Sequence, residues 1–428
     1  MNTYQCIYVE SREVFSYKDD FRDELLHLFI SNEVQRLAGT SAAKFAWGLL
    51  PAGSPRIEDG LVDQLAVTVL QATASTLRQR LDVLGYGEKE LRRQYAASRD
   101  LEVKRLEKVI ADLQGLPALD HLLEYNHEKL EHLKDLPFDL WLEGASAHIT
   151  FKRQASAPSH PTTGPLAIFK EADARWLLRI LACIVEPDAL VTLDVTEMDY
   201  DGLLDRGFLM DTDGSGYRAV FNPGPPIVIT EGRYDSKVLR AAIEILMPHL
   251  SHYIRFFDFE FGNEGGASST VKTLKSFAAA GVSNRIIALF DNDAAAYEAV
   301  LGLTGYSLPP HYKVVHYPPL ESARSYPTIG PTGELEMDVN GLACSIELYL
   351  GDDILSDEGG NRTPIQWKGF MGKVKRYQGE VVGKKVIQDA FDRKAISALA
   401  DRRLIGKQDW SGMRLILDRI FEALAVDE

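Results

Sequence analysis

The chain predicts an α/β protein with a mainly helical N-terminal region and a C-terminal domain built on a parallel sheet. Three observations predict it. Apolar residues recur at helical spacing through much of the first 135 residues. From Ile227 onward, short β-branched runs alternate with helical stretches, the pattern of a parallel sheet with right-handed crossovers. Two of those runs stop at acids: Ile227-Val228-Ile229-Thr230-Glu231-Gly232-Arg233-Tyr234-Asp235 and Ile286-Ile287-Ala288-Leu289-Phe290-Asp291-Asn292-Asp293.

In order, residues 4–16 alternate weakly and predict a hairpin whose first strand is Cys6-Ile7-Tyr8-Val9. Residues 19–37 carry Leu25, Leu26, Phe29, Ile30, Val34 and Leu37 at helical spacing, and 60–135 read as helical throughout. Within that stretch Leu77, Leu81 and Leu84 mark one face, and Gly85 and Gly87 end the helix. The Pro- and Ser-rich run 154–165 predicts a linker. A helix at about 170–185 and a β-rich stretch to Asn222 follow, then a break at Pro223-Gly224-Pro225-Pro226. Beyond it, strands at 227–230, 253–259, 285–290 and 313–317 alternate with helices at 235–247, 268–280 and 294–302, and a further helix lies near 342–350. The expected division is 1–153 (helical), 166–222 (connecting), 225–350 (catalytic α/β) and 351–428 (a basic helical extension).

Composition narrows the class. The 428 residues are 45% apolar and 25% charged, ordinary for a globular protein, and no apolar run is long enough to span a membrane. Three scattered cysteines and no visible secretory signal suit the cytoplasm and exclude a cysteine zinc module of the usual spacing. The net charge of −15 argues against broad, sequence-blind nucleic-acid binding.

Charge is unevenly spread, however. Residues 368–407 hold eleven Lys/Arg and four Asp/Glu, among them Lys373, Lys375, Arg376, Lys384 and Lys385, with Trp367, Phe370, Tyr377 and Phe391 interleaved. Such a segment suits phosphate contacts and base stacking, and equally a solvated helical face with its aromatics in the core.

Strands of a parallel sheet deliver their carboxyl ends to one edge, where ligands bind. Glu231, Asp291 and Asp293 fall at such ends. If strand conformation continues, Asp291 and Asp293 point the same way. Gathered carboxylates call for a cation, and oxygen donors suit Mg2+ or Mn2+. Asp235 stands at a helix start, where it can also act as a cap.

Glu231-Gly232-x-x-Asp235 and, some 60 residues on, Asp291-x-Asp293 resemble the Toprim domain of topoisomerases, bacterial primases, overcoming-lysogenization-defect (OLD) nucleases and small ribosomal-RNA maturases. The resemblance implies a compact parallel, Rossmann-like sheet and Mg2+-dependent phosphodiester chemistry. Glu231 would be the general acid/base, with Asp235 beside it, and Asp291 and Asp293 the metal ligands. Glu347 is the best match to a further acid of the nuclease versions, and Lys373, Lys384 and Lys385 are alternatives for their downstream lysine. Thr3-Tyr4, Val14-Phe15-Ser16 and Leu77 to Gly85 are similar to the region preceding Toprim in bacterial HEPN/Toprim-associated proteins. HEPN ribonucleases pair an Arg with a His a few residues later. The expectation is that none of the ten histidines has an Arg four to six residues before it, so the helices are expected to be structural, dimerising or sensing.

The expected function is therefore that of a metal-dependent endonuclease on DNA or RNA, in family context an anti-phage defence protein. It would form a homo-oligomer and possess a partner or phage-derived trigger. The alternative is a non-catalytic Toprim-fold module for binding or sensing. Asp211-Thr212-Asp213-Gly214-Ser215-Gly216 opens like a calcium loop but has Asn222 at its twelfth position, which favours a turn. His249 and His252 lack a third zinc ligand, and Gly262, Gly265 and Gly266 lack the dinucleotide fingerprint order. No Walker phosphate loop occurs, so a nucleotide-driven step would need a partner.

Overall fold

The computed structural model describes residues 4–10, 12–18, 21–49, 62–154, 164–200, 202, 204, 209, 225–257, 265–331, 333–357 and 359–425. The chain forms two compact units, Met1–Phe221 and Asn222–Glu428. The calcium-like run 211–216, Gly262 and most of the linker 154–165 lie outside the described residues.

Unit 1 contains a five-stranded antiparallel sheet in the order β2-β1-β5-β4-β3. Its strands are β1 (Tyr4–Val9), β2 (Arg12–Lys18), β3 (Val34–Ala38), β4 (Ala66–Thr73) and β5 (Leu190–Asp194). The expected N-terminal hairpin is present, Ile7 pairing with Phe15. The helix expected over 19–37 is not. Two 3-10 turns, Asp23–Leu28 and Ser31–Glu33, lead into β3 instead. Leu25, Leu26, Leu28 and Phe29 are all fully buried, so this stretch has no solvated face to offer an amphipathic helix. Arg80 reaches from a neighbouring helix to the Leu28 carbonyl and to both oxygens of Glu33, which fixes the turn.

Nor is 60–135 helical throughout. Val67, Thr68, Val69 and Thr73 give β4 its β-branched character, and it pairs on both sides. Helices Ala74–Leu84, Glu88–Leu113, Asp120–Lys134, Phe138–Gln154 and Arg175–Ile184 complete the unit. The first is capped by Thr73, whose hydroxyl accepts from the Thr76 N–H, and it ends at Gly85 with φ 94, as the sequence expects. Leu77 and Leu81 face the main core with Ile7, Leu70, Leu177 and Leu193. Each such burial is worth about 1.5–3 kcal/mol. Past β5, the expected β-rich stretch begins with a short helix, Thr196–Tyr200.

Unit 2 is organised by a four-stranded, all-parallel sheet in the order β10-β8-β6-β7. The strands are β6 (Ile227–Ile229), β7 (Arg255–Phe256), β8 (Ile286–Phe290) and β10 (Tyr312–His316). Every residue of β8 is buried, as a central strand covered on both faces requires. Helices Arg233–Leu246, Ala267–Ala279 and Ala294–Val300 follow β6, β7 and the acidic loop after β8.

Two expectations downstream are corrected. Near 342–350 there is no α-helix: β13 (Ala343–Cys344) pairs antiparallel with β9 (Asn292–Asp293), and a 3-10 turn, Ile346–Tyr349, follows. The basic extension is not wholly helical either. It opens with hairpin β14 (Ile365–Met371) and β15 (Arg376–Val381), which joins β11 (Tyr326–Gly330) and β12 (Gly333–Met337) in a second sheet ordered β12-β11-β14-β15. Aromatic and β-branched residues favour the strands, and Gly372 with Lys375 at φ 53 makes the turn. Helices Lys384–Ala400 and Ser411–Ala425 then close the unit.

Candidate functional site

The carboxyl ends of β6 and β8 lie side by side, because Ile229 pairs with Ala288 in register. That pairing brings Glu231 to Asp291, whose backbone N–H donates to Glu231 Oε1 at 2.9 Å. Asp235 sits in the first turn of the helix after β6, buried to 8% exposure. Asp293 is held by the β9–β13 pairing, which also carries the chain on to Glu347. The structure therefore gathers all five expected acids, from segments more than a hundred residues apart.

The electrostatics record how crowded they are. Burial, followed by the charge of Asp293, pushes the Glu231 carboxyl up to about 8. Burial and Glu347 push Asp235 to about 7. Asp291 lies well above the ordinary carboxylate range, first through burial and then through Glu231, Asp235, Asp293 and Glu347. Tyr317 is pushed up by burial and by three of the same acids, which puts its phenol against the cluster.

The acids differ in what already satisfies them. Asp293 Oδ1 accepts from the Ala296 N–H at 2.8 Å, capping the next helix, and Oδ2 accepts from Gln378 at 2.7 Å. Glu347, fully buried, accepts from Ser345 Oγ at 2.6 Å and Gln388 Nε2 at 2.9 Å, and pairs with Lys384 at 3.2 Å. Asp291 Oδ1 is buried with no hydrogen-bond partner. A buried, unpartnered carboxylate oxygen beside other carboxylates fits a hard divalent cation, and the donors are all oxygen. Among the described residues, no group of three or more His, Cys, Asp or Glu side chains is already arranged to close around a metal ion. The fit is thus one of donor chemistry, and the protein donors on Asp293 and Glu347 would have to yield.

The structure separates the five basic residues singled out from sequence. Lys384 alone reaches the acids. Burial lowers its pKa, but Glu347 and the other acids outweigh that and hold the ammonium above its ordinary value. Lys373 pairs with Glu298 at 3.3 Å and Lys385 with Asp389 at 2.8 Å, both largely exposed. Lys375 is exposed at the hairpin turn. Arg376 is engaged in packing, donating to the Gly341 carbonyl and lying 4.2 Å from the Tyr297 ring.

Sequence reasoning missed a supporting layer. His316, at the end of β10, donates from Nδ1 to the Asp291 carbonyl at 2.9 Å. Its ring stacks on Tyr297 at 4.2 Å and 13°, so Arg376, Tyr297 and His316 form one stack beneath the acidic loop. Burial lowers the His316 pKa, which favours the neutral ring. Gln378 and Gln388 were equally invisible, because nothing in a lone glutamine signals which acid it will meet.

Comparison with known proteins bears on the other unit. Residues 1–213 match the family model HEPN/Toprim N-terminal domain 1. The matched stretch ends before the first acidic strand, so the match leaves the acid cluster unaddressed. No curated protein and no solved structure gives a significant match. Among the described residues, no helix is long and apolar enough to cross a membrane.

The matched region also corrects one expectation. Arg22 and His27 have four residues between them, Arg22-Asp23-Glu24-Leu25-Leu26-His27, so the Arg–His spacing expected of HEPN ribonucleases is present in the sequence after all. His27 is only 3% exposed, within the 3-10 turn. The Arg22 guanidinium donates to the Lys170 carbonyl at 3.2 Å and lies over Tyr17.

Proposed function

We propose that unit 2 is a Toprim nuclease, a metal-dependent phosphodiesterase acting on nucleic acid. The observation that carries this reading is the unpartnered Asp291 Oδ1, buried among Glu231, Asp235, Asp293 and Glu347 at the carboxyl edge of a parallel sheet. Asp291 and Asp293 would hold Mg2+ or Mn2+, with Glu347 as a further ligand. When bound, such an ion neutralises the scissile phosphate and stabilises the leaving oxygen.

The remaining work falls to side chains of this chain. Glu231, buried beside Asp291, would act as the general acid/base at the departing oxygen; without the ion, burial and Asp293 push its carboxyl up to about 8. Two backbone N–H groups, of Asp291 and Ala267, hold that carboxyl in place. Asp235 adds negative charge that keeps the proton on Glu231. Lys384 balances Glu347 and brings a cation to the cluster. The lysine of the nuclease resemblance is thus best matched by Lys384. A cytoplasmic, homo-oligomeric defence protein with a phage-derived trigger follows from the family resemblance and forms part of this proposal.

A second reading has its own support. Asp293 and Glu347 already have both oxygens engaged, which suits a Toprim-fold module that binds or senses without cutting. One assay decides. Purified protein is incubated with plasmid, single-stranded DNA and tRNA in Mg2+, Mn2+ or EDTA, with and without infected-cell lysate. Cleavage lost in EDTA and in Glu231→Gln and Asp291→Asn supports the nuclease. No cleavage under any condition, or equal cleavage by the variants, leaves the binding module.

A further inference from the structure

We infer that hairpin β14–β15 is a stacking platform for unpaired bases, making single-stranded nucleic acid the polymer that this unit engages. The inference deepens the nuclease reading and rests on it for where the strand leads; the platform has its own geometry. Phe370 and Tyr377 face each other directly across the hairpin, with ring centroids 5.1 Å apart. They are 56% and 57% exposed. Trp367 adds a third ring, 6.2 Å from Tyr377. Phe391, the fourth aromatic of the basic segment, is 1% exposed and belongs to the core. The structure thus splits the segment's aromatics into a core residue, a half-buried Trp367 and an exposed Phe370–Tyr377 pair.

Charge complements the rings. The turn that joins the two strands carries Lys373 and Lys375, both exposed, in a chain of net charge −15. Lys368 lies on the same hairpin, its ammonium 3.4 Å from Glu380 and open to solvent. Flat apolar rings beside exposed cations match a base with its phosphate. A duplex keeps its base faces stacked inside, so it cannot use such rings; an unpaired strand can.

A groove of about 660 Å³ runs from the hairpin turn to the loop at Gly265 and Gly266. Met371 and Lys373 line one part of it, Lys272 and Glu298 its walls, and Gly265 and Gly266 another part. The Gly266 N–H donates to the Glu231 carbonyl at 2.5 Å. A Cβ on Gly265 would lie 3.1 Å from that same oxygen, so the groove runs onto the backbone of Glu231. On the hairpin side, Gln378 follows Tyr377 and donates to Asp293. The hairpin is therefore tied to the acid loop through one hydrogen bond, and the groove beside its turn ends at the glycine loop that contacts the Glu231 backbone.

The test is fluorescence anisotropy in EDTA, where nothing is cut, using labelled oligothymidylate, oligouridylate and a duplex, each of about 16 nucleotides. Either single strand is expected to bind at least about 10-fold tighter than the duplex, and their ratio assigns the preferred sugar. Phe370→Ala with Tyr377→Ala is expected to weaken single-strand binding about 10- to 100-fold, with circular dichroism confirming the fold. If that variant does not fold, Lys373→Glu with Lys375→Asp serves at the exposed turn, since Asp tolerates the left-handed backbone of Lys375. Duplex preference, or unchanged single-strand affinity in the folded hairpin variants, overturns the inference. Wild type that binds single strands but never cuts would overturn the nuclease reading alone.

Discussion

Lys384 Nζ lies 3.2 Å from Glu347 Oε1, and the glutamate is completely buried while the lysine is 42% exposed. One charge of the pair can be hydrated and the other cannot. The lysine, together with Gln388 and Ser345, therefore supplies the polar partners that a fully buried Glu347 side chain needs.

Lys384→Met should then destabilise unit 2. Breaking a buried pair costs about 3–5 kcal/mol. Because Lys384 is partly solvated, about 1–3 kcal/mol is expected here. Urea denaturation measures it. Adding Glu347→Gln should restore part of the loss; a double variant weaker than the sum of the singles contradicts the pairing argument.

Asp291→Asn removes one of several crowded carboxylates. In EDTA it is expected to raise the melting temperature by about 2–4 °C, a gain on the order of 1 kcal/mol for a unit of this size. Mg2+ should stabilise wild type and leave this variant unchanged. Differential scanning calorimetry with and without the ion reads both effects, and equal Mg2+ stabilisation of the two proteins removes Asp291 from the ligand set.

The raised carboxyls also set a pH dependence in the metal-free protein. Glu231 goes from an ordinary value of 4.5 to about 8 on folding, so the folded state binds its proton more tightly than the unfolded chain. Its contribution to stability is complete below about 4.5 and is lost as pH rises through about 8. Glu231→Gln cannot ionise. Its stability relative to wild type should therefore increase across that window in EDTA, and a flat difference would show that Glu231 is not held protonated.

Gly412 makes a purely steric prediction. A Cβ there would lie 2.5 Å from the Tyr349 carbonyl oxygen and 2.7 Å from its Cα. Backbone cannot give way as a side-chain tip can, so Gly412→Ala should cost about 1–3 kcal/mol. Because Tyr349 shares its 3-10 turn with Glu347, Mg2+ affinity should fall along with stability. Calorimetric titration of the ion checks this, and unchanged values for both would show that the last helix can shift.

The parts of the fold legible in the sequence were those ruled by local pattern. β8 reads as a strand because Ile286 to Phe290 are uniformly apolar and bounded, and the helix over 267–279 reads from its own periodicity. The stretch 19–37 was misread because consecutive buried leucines satisfy helical spacing while their burial comes from a sheet and a distant Arg80. The hairpin 365–381 was misread because its alternation is interrupted by a register shift between Trp367 and Gly369. The Arg22–His27 spacing is legible in the sequence; the structure adds that the imidazole is buried.

The sequence by itself determined which acids stand at strand ends, since two β-branched runs stop at Glu231 and Asp291 and strands of a parallel sheet point their ends one way. Only the tertiary structure decided that Glu347 joins them, that Lys384 rather than Lys373 or Lys385 reaches them, and that Asp291 keeps an unpartnered oxygen while Asp293 does not. The physical reason is range. Strand and helix periodicity is set by neighbours a few residues apart, whereas ion pairing and desolvation depend on contacts such as β9 with β13 and Glu347 with Lys384, which close loops of tens of residues.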